Sequence, residues 1–416
     1  MRYVVTLTIL IQISFAQEIF ETFDLEGSSK YLGKTVYSFN TVPATAPVLN
    51  VSDVMGDIYI KGVPGVRTKI KEVVKVRSNT KKGAKTLHER FKSAVSYSEE
   101  KNVINVKGKG PWSSRLSFDY EITVPQSTGL IVNTSGGDIT IEHASSEIDV
   151  KTSGGDLDFS FIKGKLTGVT AGGDIDLNHC QGTIYVSTSG GDIDGVDIEG
   201  KINANTSGGD IDITYSEGDL SINTSGGDLY LMEIEGENII AKTSAGDITV
   251  EDVTSSILLH TDGGDVDIEN VNGDIKATTS GGDIDLYNIS GVIDVFTDAG
   301  SIDGEDIAGP ITAITKAGDI YIEKFVNPLF IDHSIMLRAE VGDIQLILPE
   351  DFSGDFQVMV ENAYSSDAIE SEFPITIIKT MDDIRGEGII GAGTHVIKMR
   401  TQYGEIYIEK TSENED

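Results

Sequence analysis

Carboxylates recur at a fixed spacing along most of this sequence of 416 residues. The motif Gly-Gly-Asp-x-Asp, or a close variant of it, returns every 18 residues, with one step of 19 residues between Asp228 and Asp247. Carboxylate oxygens are preferred ligands of Ca²⁺, so the paired aspartates are candidate ligands for a ladder of calcium ions. These candidate metal ligands are Asp156, Asp158, Asp174, Asp176, Asp192, Asp194, Asp210, Asp212, Asp265, Asp267, Asp283 and Asp285.

The same aspartates pose an electrostatic problem. If copies stack as neighbouring strands about 4.8 Å apart, like carboxylates repel by about 0.9 kcal/mol per pair at the dielectric of water. Two explanations remain open. Each aspartate accepts hydrogen bonds from N–H groups of a turn while salt screens the rest, or Ca²⁺ is held by carboxylates and carbonyls of successive copies. Bound calcium predicts a higher melting temperature in millimolar calcium than in chelator.

The segments between the motifs have the period of strands. In Asp210-Ile211-Asp212-Ile213 polar and apolar residues alternate, and a glycine eight residues after most motif aspartates divides each repeat into two halves. Strand pairs of this length bury their apolar face only by stacking on further copies. The pattern predicts an all-β parallel β-solenoid of 18-residue rungs, with two strands per rung and hydroxyl ladders formed by the Thr-Ser before each motif. An antiparallel β-sandwich, the alternative, would not need identity at every eighteenth residue.

The N-terminal part of the chain differs from the repeats. Residues 1–16 have one basic residue, a short apolar run and a small residue at the expected cleavage point, which predicts a secretory signal peptide. Residues 17–130 contain one early motif copy and the polar stretch Lys81–Phe91, which predicts a short helix. We expect this α+β region to cap the first rung, because a bare solenoid end exposes unpaired strand edges.

The remaining sequence divides into a regular and an irregular part. Residues 131–324 are expected to form the regular solenoid, and its one 19-residue step predicts a bulge. Residues 325–416 are expected to form irregular rungs and a C-terminal cap. In that part, Val341–Leu346 and Tyr403–Glu409 are expected to be the last rungs, with residues 351–391 as an excursion between them.

Charge and cysteine content restrict the setting and the partners. A net charge of −35 argues against nucleic acid, because phosphate binding needs clustered Lys and Arg. Residues 17–130 are the exception, with 17 Lys and Arg against 12 Asp and Glu; their basic face, from Lys69 to Lys92, could contact an anionic envelope or the acidic body of another copy, or be solvated.

Cys180 is the only cysteine and is expected in the core, so no intramolecular disulfide forms. No apolar run reaches the roughly 20 residues of a transmembrane helix, and the signal peptide predicts an extracellular, cell-surface or periplasmic location.

The residue types that perform catalysis are not grouped in this sequence. The six histidines lack metal-ligand spacing, and the sequence has neither a nucleophile elbow nor a phosphate loop. The acids are spread evenly over the rungs, whereas glycoside cleavage needs one pair with separated pKa values in a cleft. We therefore predict that the protein is not an enzyme, and a glycan-active β-helix is the remote alternative.

The order of the motifs resembles that of a bacterial family of adhesin-like β-strand-repeat proteins, whose domain has no known function. The resemblance rests on Gly56–Gly62, on Tyr120–Pro125 leading into Thr134–Ile139, and on Ile389–Thr394 before Tyr403–Ile406. It covers nearly the whole mature chain, implies export and a solenoid fold, and supplies no catalytic residues. The expected function is an exported adhesin-like or scaffold protein that presents acidic ladders to an unknown surface ligand, either a glycan or a protein. A calcium-stabilised envelope protein is the alternative.

Overall fold

The computed structural model describes residues 14–15, 17–26, 30–41, 46–110, 115–363, 365, 367–381 and 383–411. The chain forms two compact units, Met1–Asp192 and Ile193–Asp416, which we call unit 1 and unit 2. Of the predicted signal peptide, only Ser14 and Phe15 lie among the described residues. The regular structure is nearly all β, and no helix in the described ranges is long and apolar enough to cross a membrane.

Unit 1 combines antiparallel and parallel strands with a helix. Helix α1 (Lys81–Phe91) lies where the sequence predicts it. It begins after Thr80, whose hydroxyl accepts a hydrogen bond of 3.1 Å from the Gly83 N–H and so caps the first turn. The strands of unit 1 are β1 (Ser14–Phe15), β2 (Gln17–Glu26), β3 (Lys30–Asn40), β4 (Val48–Val54), β5 (Asp57–Val63), β6 (Arg67–Arg77), β7 (Ala94–Ser98), β8 (Val103–Lys107), β9 (Leu116–Pro125), β10 (Gly129–Thr134), β11 (Ile139–Glu142), β12 (Ile148–Lys151), β13 (Leu157–Ser160), β14 (Lys163–Val169) and β15 (Ile175–Ser187).

The early motif copy belongs to the parallel part of unit 1. Strands β4 and β5 pair in parallel with β10 and β11, so that Ile58 lies beside Ile139. On their other side, β4 pairs with β8 and β5 pairs with β9, both in parallel. Strand β9 then continues into an antiparallel series through β6, β3 and β2. The open edges of β4 and β5 are therefore covered, which removes sites for edge-to-edge aggregation.

Unit 2 consists mostly of parallel pairs. Each motif strand pairs with the strand at the same position of the next copy, so that Val266 lies beside Ile284 and Ile284 beside Ile302. The prediction of a mostly parallel, all-β fold is confirmed. The strands of unit 2 are β16 (Ile193–Asn205), β17 (Ile211–Glu217), β18 (Leu220–Asn223), β19 (Leu229–Lys242), β20 (Ile248–His260), β21 (Val266–Asn272), β22 (Ile275–Thr279), β23 (Ile284–Ser290), β24 (Ile293–Thr297), β25 (Ile302–Ala308), β26 (Ile311–Ala317), β27 (Ile320–Lys324), β28 (Ile335–Val341), β29 (Ile344–Leu348), β30 (Gly354–Val360), β31 (Ile369–Ser371), β32 (Thr376–Lys379), β33 (Ile384–Ile390), β34 (His395–Tyr403) and β35 (Ile406–Lys410).

The end of unit 2 departs from chain order. Strands β28 and β29 pair in parallel with β34 and β35, which places Ile335 beside Ile397 and Ile344 beside Ile406. Strands β30 and β31, from the excursion, pair in parallel with the other edges of β34 and β35. Val341–Leu346 and Tyr403–Glu409 therefore lie in neighbouring layers, but the prediction that they are the last ones is wrong. Strand β30 alternates polar and apolar residues without the Gly-Asp-Ile turn, so the repeat period did not reveal its place in the stack.

Aliphatic side chains fill the inside of the stacked strands. Ile211 and Ile213 are fully buried, whereas Asp212 between them is exposed, as the alternation predicts. Ile193 and Leu229 lie on either side of Ile211 in the neighbouring strands. Burying each such side chain contributes about 1.5–3 kcal/mol, so the repeated aliphatic positions are the main source of stability.

The lone cysteine is part of the core of unit 1. Cys180 is buried, as the sequence predicts. Burial raises the pKa of its thiol to about 11, so the thiolate that reacts with oxidants or metals is disfavoured. Its place in the core is that of a small apolar residue.

The 19-residue step produces the predicted bulge. Leu229 pairs with Ile248, but the register shifts between Glu235 and Asn238, which pair with Thr254 and Ser256. The extra residue therefore leaves the ladder within β19, and the apolar positions on both sides of it keep their alignment.

Candidate functional site

The first aspartate of a motif accepts a backbone hydrogen bond from the following copy. In unit 1 the Oδ1 atom of Asp156 accepts the Asp174 N–H at 2.9 Å, and in unit 2 that of Asp265 accepts the Asp283 N–H at 2.8 Å. These bonds support the first explanation that the sequence left open, because an ionised acceptor makes a stronger bond than a neutral one. We call the first aspartates the turn column: Asp138, Asp156, Asp174 and Asp192 in unit 1, and Asp210, Asp228, Asp247, Asp265 and Asp283 in unit 2.

The second aspartate of each motif points outward from a strand. We call these residues the strand column: Asp158 and Asp176 in unit 1, and Asp194, Asp212, Asp267, Asp285 and Asp303 in unit 2. In unit 1 the Thr140 hydroxyl donates to Asp158 Oδ2 at 3.0 Å. In unit 2, Tyr230 and Thr249 occupy the same outward position between Asp212 and Asp267. The strand column of unit 2 is therefore divided into a pair and a group of three.

The group of three has perturbed ionisation. Partial burial, and then the charges of Asp267 and Asp303, raise the pKa of Asp285 to about 6. Burial is also the larger cause of the raised pKa values of Asp267 and Asp303, and the carboxylates of the turn column add to it. At neutral pH these side chains therefore repel one another, and a proton or a cationic partner would relieve that repulsion.

The two columns fit a calcium ion only in part. Ca²⁺ takes about six to eight oxygen ligands. Within the described ranges, the one group of three possible ligand side chains whose atoms all lie within 4.8 Å of one another is Glu21, His88 and Glu89, outside both columns. An ion at a column would therefore need carbonyls or water to complete its coordination.

Buried threonines form a further regular set of hydrogen bonds. The Thr279 hydroxyl donates to the Gly264 carbonyl at 2.8 Å and accepts the Gly282 N–H at 3.2 Å. Thr170 makes the same pair of contacts in unit 1, with the Gly155 carbonyl of the preceding copy and the Gly173 N–H of its own copy. These hydroxyls therefore link successive copies, as predicted, but they bond backbone groups of the glycine turns and not the hydroxyls of other threonines. They are turned inward, where backbone groups of the glycine turn would otherwise lack partners.

A column of non-glycine residues in the left-handed backbone region marks one corner of the stack, and it was not predicted. In unit 1 these are His143, Phe161 and His179, with φ of 57°, 56° and 52°. Their rings lie over one another, with 4.8 Å between the centroids of each neighbouring pair. The available signal was the frequent Asp, Asn and His at this position, since these types tolerate positive φ best. In unit 2 the column contains Asp197, Tyr215, Glu233, Asp252, Asn270, Asn288 and Asp306.

The cluster of Glu21, His88 and Glu89 in unit 1 was not predicted either, because β2 and α1 are far apart in the chain. The buried His88 ring lies with Nδ1 3.5 Å from Glu21 Oε1. The Lys92 ammonium lies 3.2 Å from Glu89 and 3.9 Å from Glu21. Burial alone would raise the pKa of Glu89, but the hydrogen bond and charge of Lys92 hold it below its usual value. The cluster is thus an ion-pair network in which a cation is already present.

The basic face of unit 1 contains cross-strand ion pairs. Lys71 lies 2.5 Å from Glu121 and Lys75 lies 2.7 Å from Asp119, each between β6 and β9. Exposed pairs of this kind contribute about 0–1 kcal/mol. Lys71 and Lys75 could therefore exchange these partners for an anionic surface at little cost.

Comparison with known proteins found a family model and solved structures that resemble this chain. A family model described as Toastrack DUF4097 matches residues 68–219 and 201–409. No curated protein matches the chain. Among solved structures, a putative cell adhesion protein from Clostridium sporogenes aligns with 91% of this chain and 98% of its own, at 10% identity and a TM-score of 0.17. A putative adhesin from Bacteroides fragilis aligns with 62% of this chain and 96% of its own, at 13% identity and a TM-score of 0.24.

Proposed function

This chain belongs to the Toastrack DUF4097 family, and we propose that it is an exported, adhesin-like or scaffold β-solenoid that binds at the cell surface through its acidic columns. In this proposal residues 1–16 are a signal peptide, residues 17–130 a cap, residues 131–324 a regular solenoid of 18-residue, two-strand rungs, and residues 325–416 its irregular end. The repeated offset of 18 residues between hydrogen-bonded aspartates of the turn column supports that rung length.

The observation that carries the proposal is the group of three in the strand column. Asp267, Asp285 and Asp303 stand at paired positions of β21, β23 and β25, and they line one concave surface. Partial burial is the largest cause of their raised pKa values, and repulsion from neighbouring carboxylates adds a further cost. A cationic surface that neutralises them gains attraction and relieves that cost at the same time. The regular spacing of acids over many copies also favours binding over catalysis, which needs a single convergent pair.

A bead assay tests this proposal. Beads coated with the full-length protein are presented to surfaces bearing polylysine or neutral dextran and to whole-cell surfaces. The triple variant Asp267→Asn, Asp285→Asn, Asp303→Asn should lose retention on the cationic surface. The matched variant Glu217→Gln, Glu235→Gln, Glu323→Gln removes as many charges outside both columns and should retain it. Equal retention of the two variants would exclude the strand column as the adhesive surface.

The same three carboxylates favour a second candidate function, a calcium-stabilised structural protein of the envelope. Calcium that binds only the folded state raises the melting temperature with concentration. The expected result is a higher melting temperature in calcium than in chelator at matched ionic strength, and no such difference for the triple asparagine variant. Identical melting of the unmodified protein in both buffers would rule out this candidate and leave the adhesive proposal standing.

A further inference from the structure

A groove in unit 2 differs in charge from the rest of that unit. Residues 193–416 contain 46 Asp and Glu against 11 Lys and Arg. Four of those cationic residues, Arg338, Arg385, Lys398 and Arg400, line one groove of about 600 Å³. The groove lies over β28, β34, β30 and β33, which pair side by side in that order.

Strand register explains how residues distant in sequence meet in this groove. Arg338 pairs with Arg400, Arg400 with Met359, and Met359 with Arg385, so three guanidinium groups belong to one row across four strands. Lys398 lies in the adjacent row. Like charges directly opposite each other on neighbouring strands are destabilising, so this row is costly unless anions accompany it.

The chain itself supplies anions for two of the four cationic groups. Arg400 lies 2.5 Å from Glu361, and Arg338 lies 3.7 Å from Glu340. These exposed pairs offset the repulsion between the two guanidinium groups that face each other across β28 and β34.

The other two cationic groups are available to a ligand. Within the part of the chain that the structure describes, neither Arg385 nor Lys398 has a carboxylate within ion-pair distance, although Asp355 and Glu387 also line the groove. The side chains of Arg385 and Lys398 are both exposed. Arg385 and Lys398 can therefore pair with an anion from outside, in a lining that has four cationic side chains and two acidic ones.

The surroundings decide which anionic partner fits. A second copy of this chain, with a net charge of −35, would bring one acidic body against another. Single-stranded nucleic acid binds on exposed aromatic rings, whereas Phe356, the aromatic residue lining the groove, is fully buried. A narrow carboxylated chain avoids both difficulties. Its carboxylates can bond the guanidinium groups in pairs, and the C–H faces of its sugars can rest on Met336 and Met359.

We propose that this groove binds an acidic polysaccharide whose sugars carry carboxylates, with Arg385 and Lys398 as the principal cationic contacts. This site is distinct from the acidic columns and takes a ligand of opposite charge. It therefore goes beyond the adhesive role proposed for those columns.

Titration calorimetry of the full-length protein with a short oligogalacturonate tests the site, with a neutral malto-oligosaccharide of equal length as the reference ligand. We expect binding of the acidic oligomer that weakens with salt, and a loss of about tenfold or more in affinity for Arg385→Gln with Lys398→Gln. The control Lys201→Gln with Lys242→Gln removes equal charge from exposed positions elsewhere in unit 2 and should bind as the unmodified protein does. Thermal melting of both double variants establishes that each is folded.

Several outcomes overturn the inference. If the two double variants bind the acidic oligomer with equal affinity, the groove is not the binding site. If the neutral oligomer binds as tightly as the acidic one, charge does not determine the binding. Displacement of the acidic oligomer by single-stranded DNA at equal concentration would show that the groove prefers nucleic acid to a polysaccharide. Self-association of the protein that only the double variant Arg385→Gln with Lys398→Gln abolishes would show that the ligand of the groove is a second copy of this chain. None of these results affects retention on polylysine, so the proposed function succeeds or fails separately.

Discussion

The Oδ1 atom of Asp265 accepts the backbone N–H of Asp283 at 2.8 Å, which joins a side chain of one copy to the main chain of the next. The same bond recurs at Asp247, which accepts the Asp265 N–H at 2.8 Å. An acid that looks on the surface like a free ligand is thus part of the backbone hydrogen-bonding pattern. Its Oδ1 atom already accepts a hydrogen bond, even though the charge of the carboxylate remains exposed.

This bond predicts different effects of two substitutions at one position. Asp265→Ala removes the acceptor and should lower the free energy of unfolding by about 1 kcal/mol, whereas Asp265→Asn keeps an acceptor and should cost less. Hydrogen exchange of the Asp283 amide provides the local measurement and should accelerate in the alanine variant only. Glu217→Ala, an exposed acid outside both columns, is the control. Unchanged exchange at Asp283 in Asp265→Ala would contradict the bond.

The raised pKa of Asp285 predicts an unusual dependence of stability on pH. Its folded-state pKa of about 6 exceeds the ordinary 3.8, so between these values the folded chain binds more protons than the unfolded chain. The contribution of Asp285 to the free energy of unfolding therefore falls as the pH rises through this window. Asp285→Asn should stabilise by about 1 kcal/mol near neutral pH, after allowance for solvent screening of an exposed side chain, and by nearly nothing in acid. Denaturant titrations of both proteins at several pH values measure the difference, and an effect independent of pH would refute the electrostatic cause.

The hydrogen bonds of the inward threonines predict that a side chain of the same shape without a hydroxyl group will destabilise the fold. Thr279→Val keeps the volume but leaves the Gly264 carbonyl and the Gly282 N–H without their hydroxyl partner, which costs about 1–3 kcal/mol. Thr279→Ser keeps the hydroxyl and loses one methyl group. Exchange of the Gly282 amide should therefore accelerate in the valine variant and stay slow in the serine variant. Slow exchange in both would show that the hydroxyl is dispensable.

Substitution by alanine is expected to affect stability strongly at one glycine of a motif and weakly at the other. A Cβ atom at Gly264 would lie 2.0 Å from the Gly246 carbonyl oxygen, which is backbone and cannot move aside. Gly264→Ala should cost about 3 kcal/mol or more. At Gly263 the nearest atom would be 3.7 Å away, so Gly263→Ala should change stability by less than about 1 kcal/mol. Thermal melting compares them, and similar melting temperatures would contradict the close approach of the coils.

Features that depend on alternation and period were predicted best. Ile211 and Ile213 repeat in a fixed pattern, and burial of one face is the only stable arrangement for it, so the parallel core followed directly. The helix after Thr80 and the bulge near Glu235 were predicted because each depends on local sequence. Which oxygen of Asp265 meets which N–H depends on the offset between copies, and the packing of the whole stack sets that offset.

Features that depend on distant pairing could not be predicted. Arg338 and Arg400 share a row only because β28 and β34 are neighbours, and Arg385 joins them through a strand outside the repeat pattern. The left-handed corner at Tyr215 and Asn270 was missed because no glycine marks it in the sequence. In both cases the residue types were visible, but their arrangement was set by the rest of the fold.

The bulge in β19 has a consequence for how such a chain can evolve. The additional residue is absorbed between Glu235 and Asn238, and pairing resumes on both sides. Duplicated copies that differ in length by one residue at this bulge can therefore still stack with their apolar positions aligned. Whole copies can then be gained or lost by recombination while each remaining copy keeps the interior that it inherited.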